Sequence, residues 1–124
     1  MAKVLIIDDD DDARKGLRRL LEAEGHEVEE AADGSQALRR FAGSPADLVF
    51  TDIFMPHMDG LELVMRLRET FPEAPIIAMS GGGQMAAGPV LQAAEALGVV
   101  RSLAKPLTRG VVQEALAEAL GDDV

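Results

Sequence analysis

The chain has 124 residues, no Cys, and 12 Lys and Arg against 22 Asp and Glu, for a formal charge of −10. That balance repels phosphate backbones and anionic headgroups, which excludes generic nucleic-acid and membrane-surface binding; without Cys there is no disulfide framework, thiolate metal site or thiol nucleophile. The length suits one domain over residues 1–124, burying roughly 65 to 70% of its extended surface, with no stretch left for an output domain. No apolar run approaches the roughly 18 residues that span a bilayer. The apolar start running into five Asp does not fit a signal peptide, so a cytoplasmic location is expected.

In chain order, Val4 to Ile7 is a short β-branched run that reads as a strand. Ala13, Leu17, Leu20 and Leu21 then recur at helical spacing until Gly25. A weaker strand follows at Val28 to Ala32, and Asp33 is placed to cap a helix carrying Ala37, Leu38 and Phe41. Leu48 to Thr51 is the third strand, with Leu63, Val64 and Leu67 on the helix after it. Ile76 to Met79 is the fourth, followed by a helix with Val90, Leu91, Ala94 and Leu97 that stops at Gly98. Val99 to Ala104 is a weaker fifth strand. Thr108 then caps a last helix bearing Val112, Ala115, Leu116, Ala119 and Leu120 before Gly121. Five strands alternating with five helices through short connections predict βαβ units, hence an α/β fold with a parallel sheet and helices on both faces.

In such a sheet, ligands sit outside the carboxyl ends of the strands. Asp8 and Asp9 follow the first strand, Asp52 the third and Ser80 the fourth, and Lys105 closes the fifth. Carboxylates crowded on one rim repel, two unit charges at 4 Å by about 4 kcal/mol at an effective dielectric of 20, so a cation must offset them. Asp oxygens without His or Cys select a hard ion such as Mg²⁺, which completes its shell with waters and phosphate oxygens. A carboxylate beside Mg²⁺ can act as a nucleophile toward phosphorus, with Lys105 and Ser80 supplying a charge and a hydrogen bond to phosphoryl oxygens.

Each feature also has a plainer reading. Asp10, Asp11 and Asp12 read as a solvated helix start. Asp52 alone could be a turn residue, and Lys105 a surface lysine before a strand-ending Pro106. An EF-hand is excluded, since counting from Asp8 puts Ala13 where Gly is needed and Arg19 where Glu is needed. No Lys follows Gly81-Gly82-Gly83 at P-loop spacing. His26 and His57 read as solvated loop residues, Met55 and Met58 as loop packing, and Arg18, Arg19, Arg39 and Arg40 as exposed helix faces.

The ordered set Val4-Leu5-Ile6-Ile7-Asp8-Asp9-Asp10, Asp52-Ile53-Phe54-Met55-Pro56-His57-Met58-Asp59-Gly60, Ser80-Gly81 and Lys105-Pro106 resembles the receiver domain of bacterial two-component response regulators, over essentially the whole chain. The resemblance implies the flavodoxin-like strand order 2-1-3-4-5. It implies that Asp52 accepts a phosphoryl group, that Asp8, Asp9, Asp52 and the backbone carbonyl of Phe54 hold Mg²⁺, and that Ser80 and Lys105 contact the phosphoryl group. It also implies a cis Lys105–Pro106 bond, a histidine kinase or histidine phosphotransfer protein as donor, and a downstream protein that reads the face of the fourth helix, fifth strand and fifth helix. Such a module is a switch and not a turnover enzyme; a homodimer through the final helices is compatible with it.

Two departures stand out. Ser102 occupies the position, three before Lys105, where many receivers carry an aromatic ring. The stretch from Ser80 to Lys105 is about three residues longer than is common, predicting a mobile glycine-rich loop. The rivals are an Mg²⁺-dependent phosphohydrolase, for which the Asp-x-Asp of haloacid-dehalogenase-type enzymes is missing at Asp52-Ile53-Phe54, a receiver-like interaction module that is never phosphorylated, and a flavin binder, for which four Phe offer little to sandwich a ring.

Overall fold

Alternating residues of one strand enter two different cores, which explains why the strand sequences are apolar without a break. In the computed structural model, which describes residues 2–53, 60–81 and 87–121 with the side chains of 87–91 excepted, the elements are β1 (Lys3–Ile7), α1 (Asp11–Ala23), β2 (Glu27–Ala31), α2 (Gly34–Gly43), β3 (Leu48–Asp52), α3 (Gly60–Thr70), β4 (Ile76–Ser80), α4 (Ala87–Ala96), β5 (Arg101–Ala104) and α5 (Arg109–Leu120). The strands form one parallel sheet in the order β2-β1-β3-β4-β5, the implied order. Val4, Ile6, Leu48, Phe50, Ile77 and Met79 bury against Leu17 and Leu21 of α1 and Val112, Ala115 and Leu116 of α5. Leu5, Ile7, Val49, Ile76 and Ala78 bury on the other face, with Ala37 and Phe41 of α2, Leu63, Val64 and Leu67 of α3 and Ala94 of α4.

The weak strands shift. β2 starts one residue earlier than expected, because Glu27 pairs with Lys3. β5 starts two residues later, since ladder pairing with β4 begins at Ile77 opposite Arg101, while Val99, after the positive-φ Gly98, packs into the core. Asp52 and Ser80 are the last residues of their strands, not the first beyond them.

Three side chains cap helices where the sequence offers Asp or Thr. Asp10 accepts from the amides of Asp12 and Ala13, Asp33 from that of Gln36, and Thr108 from that of Val111. The reading of Asp10 to Asp12 as a helix start is therefore correct.

Gly60 closes the β3–α3 connection. Its amide donates to the Ile53 carbonyl at 3.0 Å, and a Cβ at this position would lie 2.3 Å from the Ile53 Cα. Backbone cannot yield as a side chain tip can. Gly60→Ala is expected to destabilise the chain by roughly 1 to 3 kcal/mol. Gly16→Ala in α1, where the new methyl meets nothing within 4 Å, should stabilise it by roughly 0.5 to 1 kcal/mol. Urea midpoints of the two variants check both signs.

Candidate functional site

Strand register assembles the rim. Ile7 of β1 pairs with Thr51 of β3, so the next rung sets Asp8 beside Asp52. The Asp8 amide extends the β1–β2 ladder by donating to the Ala31 carbonyl at 3.1 Å, and the Ile53 amide extends β3–β4 by donating to Met79 at 3.0 Å. Ser80 pairs with Ala104, and the Lys105 amide donates to the Ser80 carbonyl at 2.7 Å. Four neighbouring strands thus deliver Asp8, Asp52, Ser80 and Lys105 to one edge, with Asp9 just beyond β1. The Lys105–Pro106 bond is cis, as the resemblance implies.

Asp8, Asp9 and Asp52 each offer a carboxylate oxygen within 4.8 Å of the other two. Asp8 and Asp52 are buried and Asp9 is exposed. Lys105 Nζ donates to Asp8 Oδ2 at 2.5 Å and to Asp52 Oδ2 at 3.4 Å, while Asp8 Oδ1 accepts from the Asp10 amide at 3.0 Å. Burial pulls the Lys105 ammonium down, but the Asp8 hydrogen bond and the charges of Asp52 and Asp8 outweigh it, and the group sits above the ordinary lysine range. It is charged at any physiological pH.

One ammonium does not balance three carboxylates. At 4.8 Å each carboxylate pair repels by about 3.5 kcal/mol at an effective dielectric near 20. An all-oxygen donor set of this charge fits a hard divalent cation. Ser80 Oγ fits an incoming oxygen: it is fully buried and has no hydrogen-bond partner among the described residues, a state that costs about 1 to 3 kcal/mol for a hydroxyl. The expected backbone ligand Phe54 lies outside the described residues, as do Met55, His57 and Met58 and the glycine-rich segment 82–86.

Sequence reasoning missed the support behind Asp8. Arg14, one turn into α1, donates from Nη1 to the Asp8 carbonyl at 2.8 Å and from Nε to Glu30 at 2.6 Å, and Arg18 reaches the other Glu30 oxygen at 2.5 Å. A Glu facing α1 from the edge strand β2 was the available signal. Arg18 is therefore not simply an exposed face, being tied to Glu22 and Glu30; Arg19, Arg39 and Arg40 are exposed as expected. His26 is not merely solvated either, since its Nδ1 accepts from the Ala2 amide at 3.0 Å.

Burial pushes the Glu30 carboxyl up, but the hydrogen bonds from Arg18 and Arg14 win and hold it below its usual range. Its contribution is complete above the ordinary glutamate value of about 4.5 and is lost as pH falls through the lower folded value. Glu30→Gln is expected to lose roughly 1 to 3 kcal/mol at pH 7. The gap from wild type should narrow progressively below pH of about 4.5, as read from urea unfolding across pH.

Comparison with known proteins bears on the family and the fold. The family model described as response regulator receiver domain matches residues 4–117. Response regulator MprA of Mycobacterium sp. (strain KMS) is 41% identical over 78 residues, which are 63% of this chain and 34% of that protein; that of Mycobacterium avium (strain 104) is 40% identical over the same share. The aligned part thus spans about a third of these relatives' length. A receiver domain protein from Clostridium thermocellum superposes with a TM-score of 0.88 at 29% identity, over 97% of this chain and 94% of the other. Chemotaxis protein CheY4 of Vibrio cholerae does so at 0.85 and 30% identity, over 96% and 98%.

Proposed function

The chain belongs to the response regulator receiver domain family of two-component systems, and on that premise we propose that Asp52 accepts a phosphoryl group from a phosphohistidine of a histidine kinase or histidine phosphotransfer protein. An Asp52 carboxylate oxygen bonds to phosphorus as the phosphorus–nitrogen bond breaks, and that bond's electron pair returns to the donor imidazole. Asp8, Asp9, Asp52 and the backbone carbonyl of Phe54 are the proposed ligands of Mg²⁺, which supplies positive charge against the carboxylates and the phosphoryl oxygens when bound.

The chain's own residues do the rest. Lys105, already shared between Asp8 and Asp52, turns toward the phosphoryl oxygens as a point charge. Ser80 Oγ gains a partner for its buried hydroxyl. The added charge of about −1.5 to −2 redistributes contacts along β4 and β5, and a downstream protein reads the resulting face of α4, β5 and α5. With no ring at position 102, the connection across that face is polar: Ser102 Oγ donates to Glu95 Oε2 of α4 at 2.8 Å. The module is a switch and not a turnover enzyme, and a bacterial cytoplasm is its proposed setting. Among the described residues no helix is long and apolar enough to cross a membrane.

The observation that carries this reading is the convergence of three carboxylates, two of them bound by one ammonium, beside a buried hydroxyl with no partner among the described residues. Incubation with Mg²⁺ and acetyl phosphate is expected to add one phosphoryl group by intact mass, and Asp52→Asn is expected to add none. Labelling that persists in the variant would move the acceptor elsewhere. Mg²⁺ at a hundredfold excess over its dissociation constant should stabilise the chain by about 2.7 kcal/mol. Asp9→Asn should lose most of that increment in a thermal melt, since Asp9 is exposed and its loss leaves the core intact.

A further inference from the structure

A cavity of about 550 Å³ opens between α1 and the segment after β5, and it shares Asp8 and Lys105 with the acidic rim. Its other walls are apolar, with Leu17, Leu20, Met79 and Leu107 among them. It exists in part because residue 16 has no side chain: Gly16 lies in the middle of α1 on the wall, and a Cβ there would meet nothing within 4 Å. A glycine inside a helix is unfavourable relative to alanine, and no contact among the described residues explains this one. The volume falls in the range of small-ligand sites, about 300 to 1,000 Å³.

The geometry points to a binding site for a small neutral molecule with an apolar body and one hydrogen-bond acceptor, seated over Gly16 with its acceptor on Lys105. The Lys105 ammonium has three N–H donors, and two are directed at Asp8 and Asp52. Asp8, with Asp9 and Asp52 close behind it, repels an anionic head. The ammonium repels a cationic one, because both oxygens of Asp8 are already engaged by the Asp10 amide and Lys105 and no other carboxylate lines the cavity. Size, wall chemistry and the third N–H thus select a neutral ligand. A consequence that rests on the phosphoacceptor reading is that an occupied cavity holds Lys105 back from the phosphoryl oxygens and slows phosphoryl uptake.

The test titrates 4-phenylbutan-2-one into the full chain and follows leucine methyl resonances. Saturable shifts at Leu17, Leu20 and Leu107 are expected, with a dissociation constant of about 5 mM or tighter for a ligand of this size, and with intermolecular NOEs to the same methyls. The anionic analogue 3-phenylpropionate should bind at least about fivefold more weakly, because of the Asp8 charge. Gly16→Leu should fill the space and abolish the shifts. The NOEs in wild type keep the test decisive if that variant fails to fold. Non-saturating shifts, NOEs elsewhere, undiminished binding in a folded Gly16→Leu, or shifts that track protein concentration through self-association would each overturn the site. At saturating probe, phosphoryl uptake from acetyl phosphate should fall severalfold, and an unchanged rate would overturn the coupling. A chain that takes up no phosphoryl group even without probe would overturn the phosphoacceptor reading alone, since the titration and NOEs decide the site independently.

Discussion

Three carboxylates with oxygens held within 4.8 Å of one another, two of them sharing a single ammonium, are the constraint on which the rest of the molecule depends. A water-exposed cluster of this kind would relax by rotating its side chains apart. Here two of the three are buried at the ends of central strands, and the ladder bonds on either side fix where their backbones go. The Asp10 amide and Lys105 hold both oxygens of Asp8, and Arg14 holds its carbonyl. The site is therefore kept in an unfavourable electrostatic state by the cooperative stability of the sheet, which is the condition for a cation or a phosphoryl group to change it.

The architecture separates that stress from the folding core. The two apolar clusters lie on opposite faces of the sheet, and none of the three aspartates belongs to either, so the edge can carry charge while the interior supplies stability. Exposed ion pairs such as Arg66 with Glu62 add little to that stability; the half-buried Arg14–Glu30–Arg18 bridge differs because it fixes the end of β1 against α1 and β2. Position along each strand thus divides the labour between packing and chemistry.

Much of this was legible in the chain because β-branched runs end abruptly in Asp, Ser or Lys, and strand ends in a doubly wound sheet face one rim. The helix caps at Asp33 and Thr108 were legible for the same local reason. In the sequence Asp52 and Ser80 look as if they lie just past their strands, because a polar residue at a buried end looks like the start of a turn. Partnerships between distant segments were not legible: Arg14 with Glu30 depends on how α1 lies across β2, and His26 with the Ala2 amide depends on two chain segments meeting. The open space at Gly16 needs the position of Leu107, 91 residues later in the chain, before it can be seen as a cavity and not a weak spot in a helix.

Crowded charge makes a claim about stability that can be measured without any phosphodonor. Among Asp8, Asp9, Asp52 and Lys105, removing the Asp52 charge eliminates two repulsions of about 3.5 kcal/mol each and one attraction to Lys105 of about 5 kcal/mol, all at an effective dielectric near 20, so the balance of these four charges favours removal. The most direct measurement is the urea unfolding free energy of Asp52→Asn against wild type, both stripped of divalent cations by chelator at low ionic strength. The variant is expected to be the more stable by about 2 kcal/mol. A variant that is less stable than wild type would mean that the three carboxylates are not under mutual repulsion, and would contradict the account at its base.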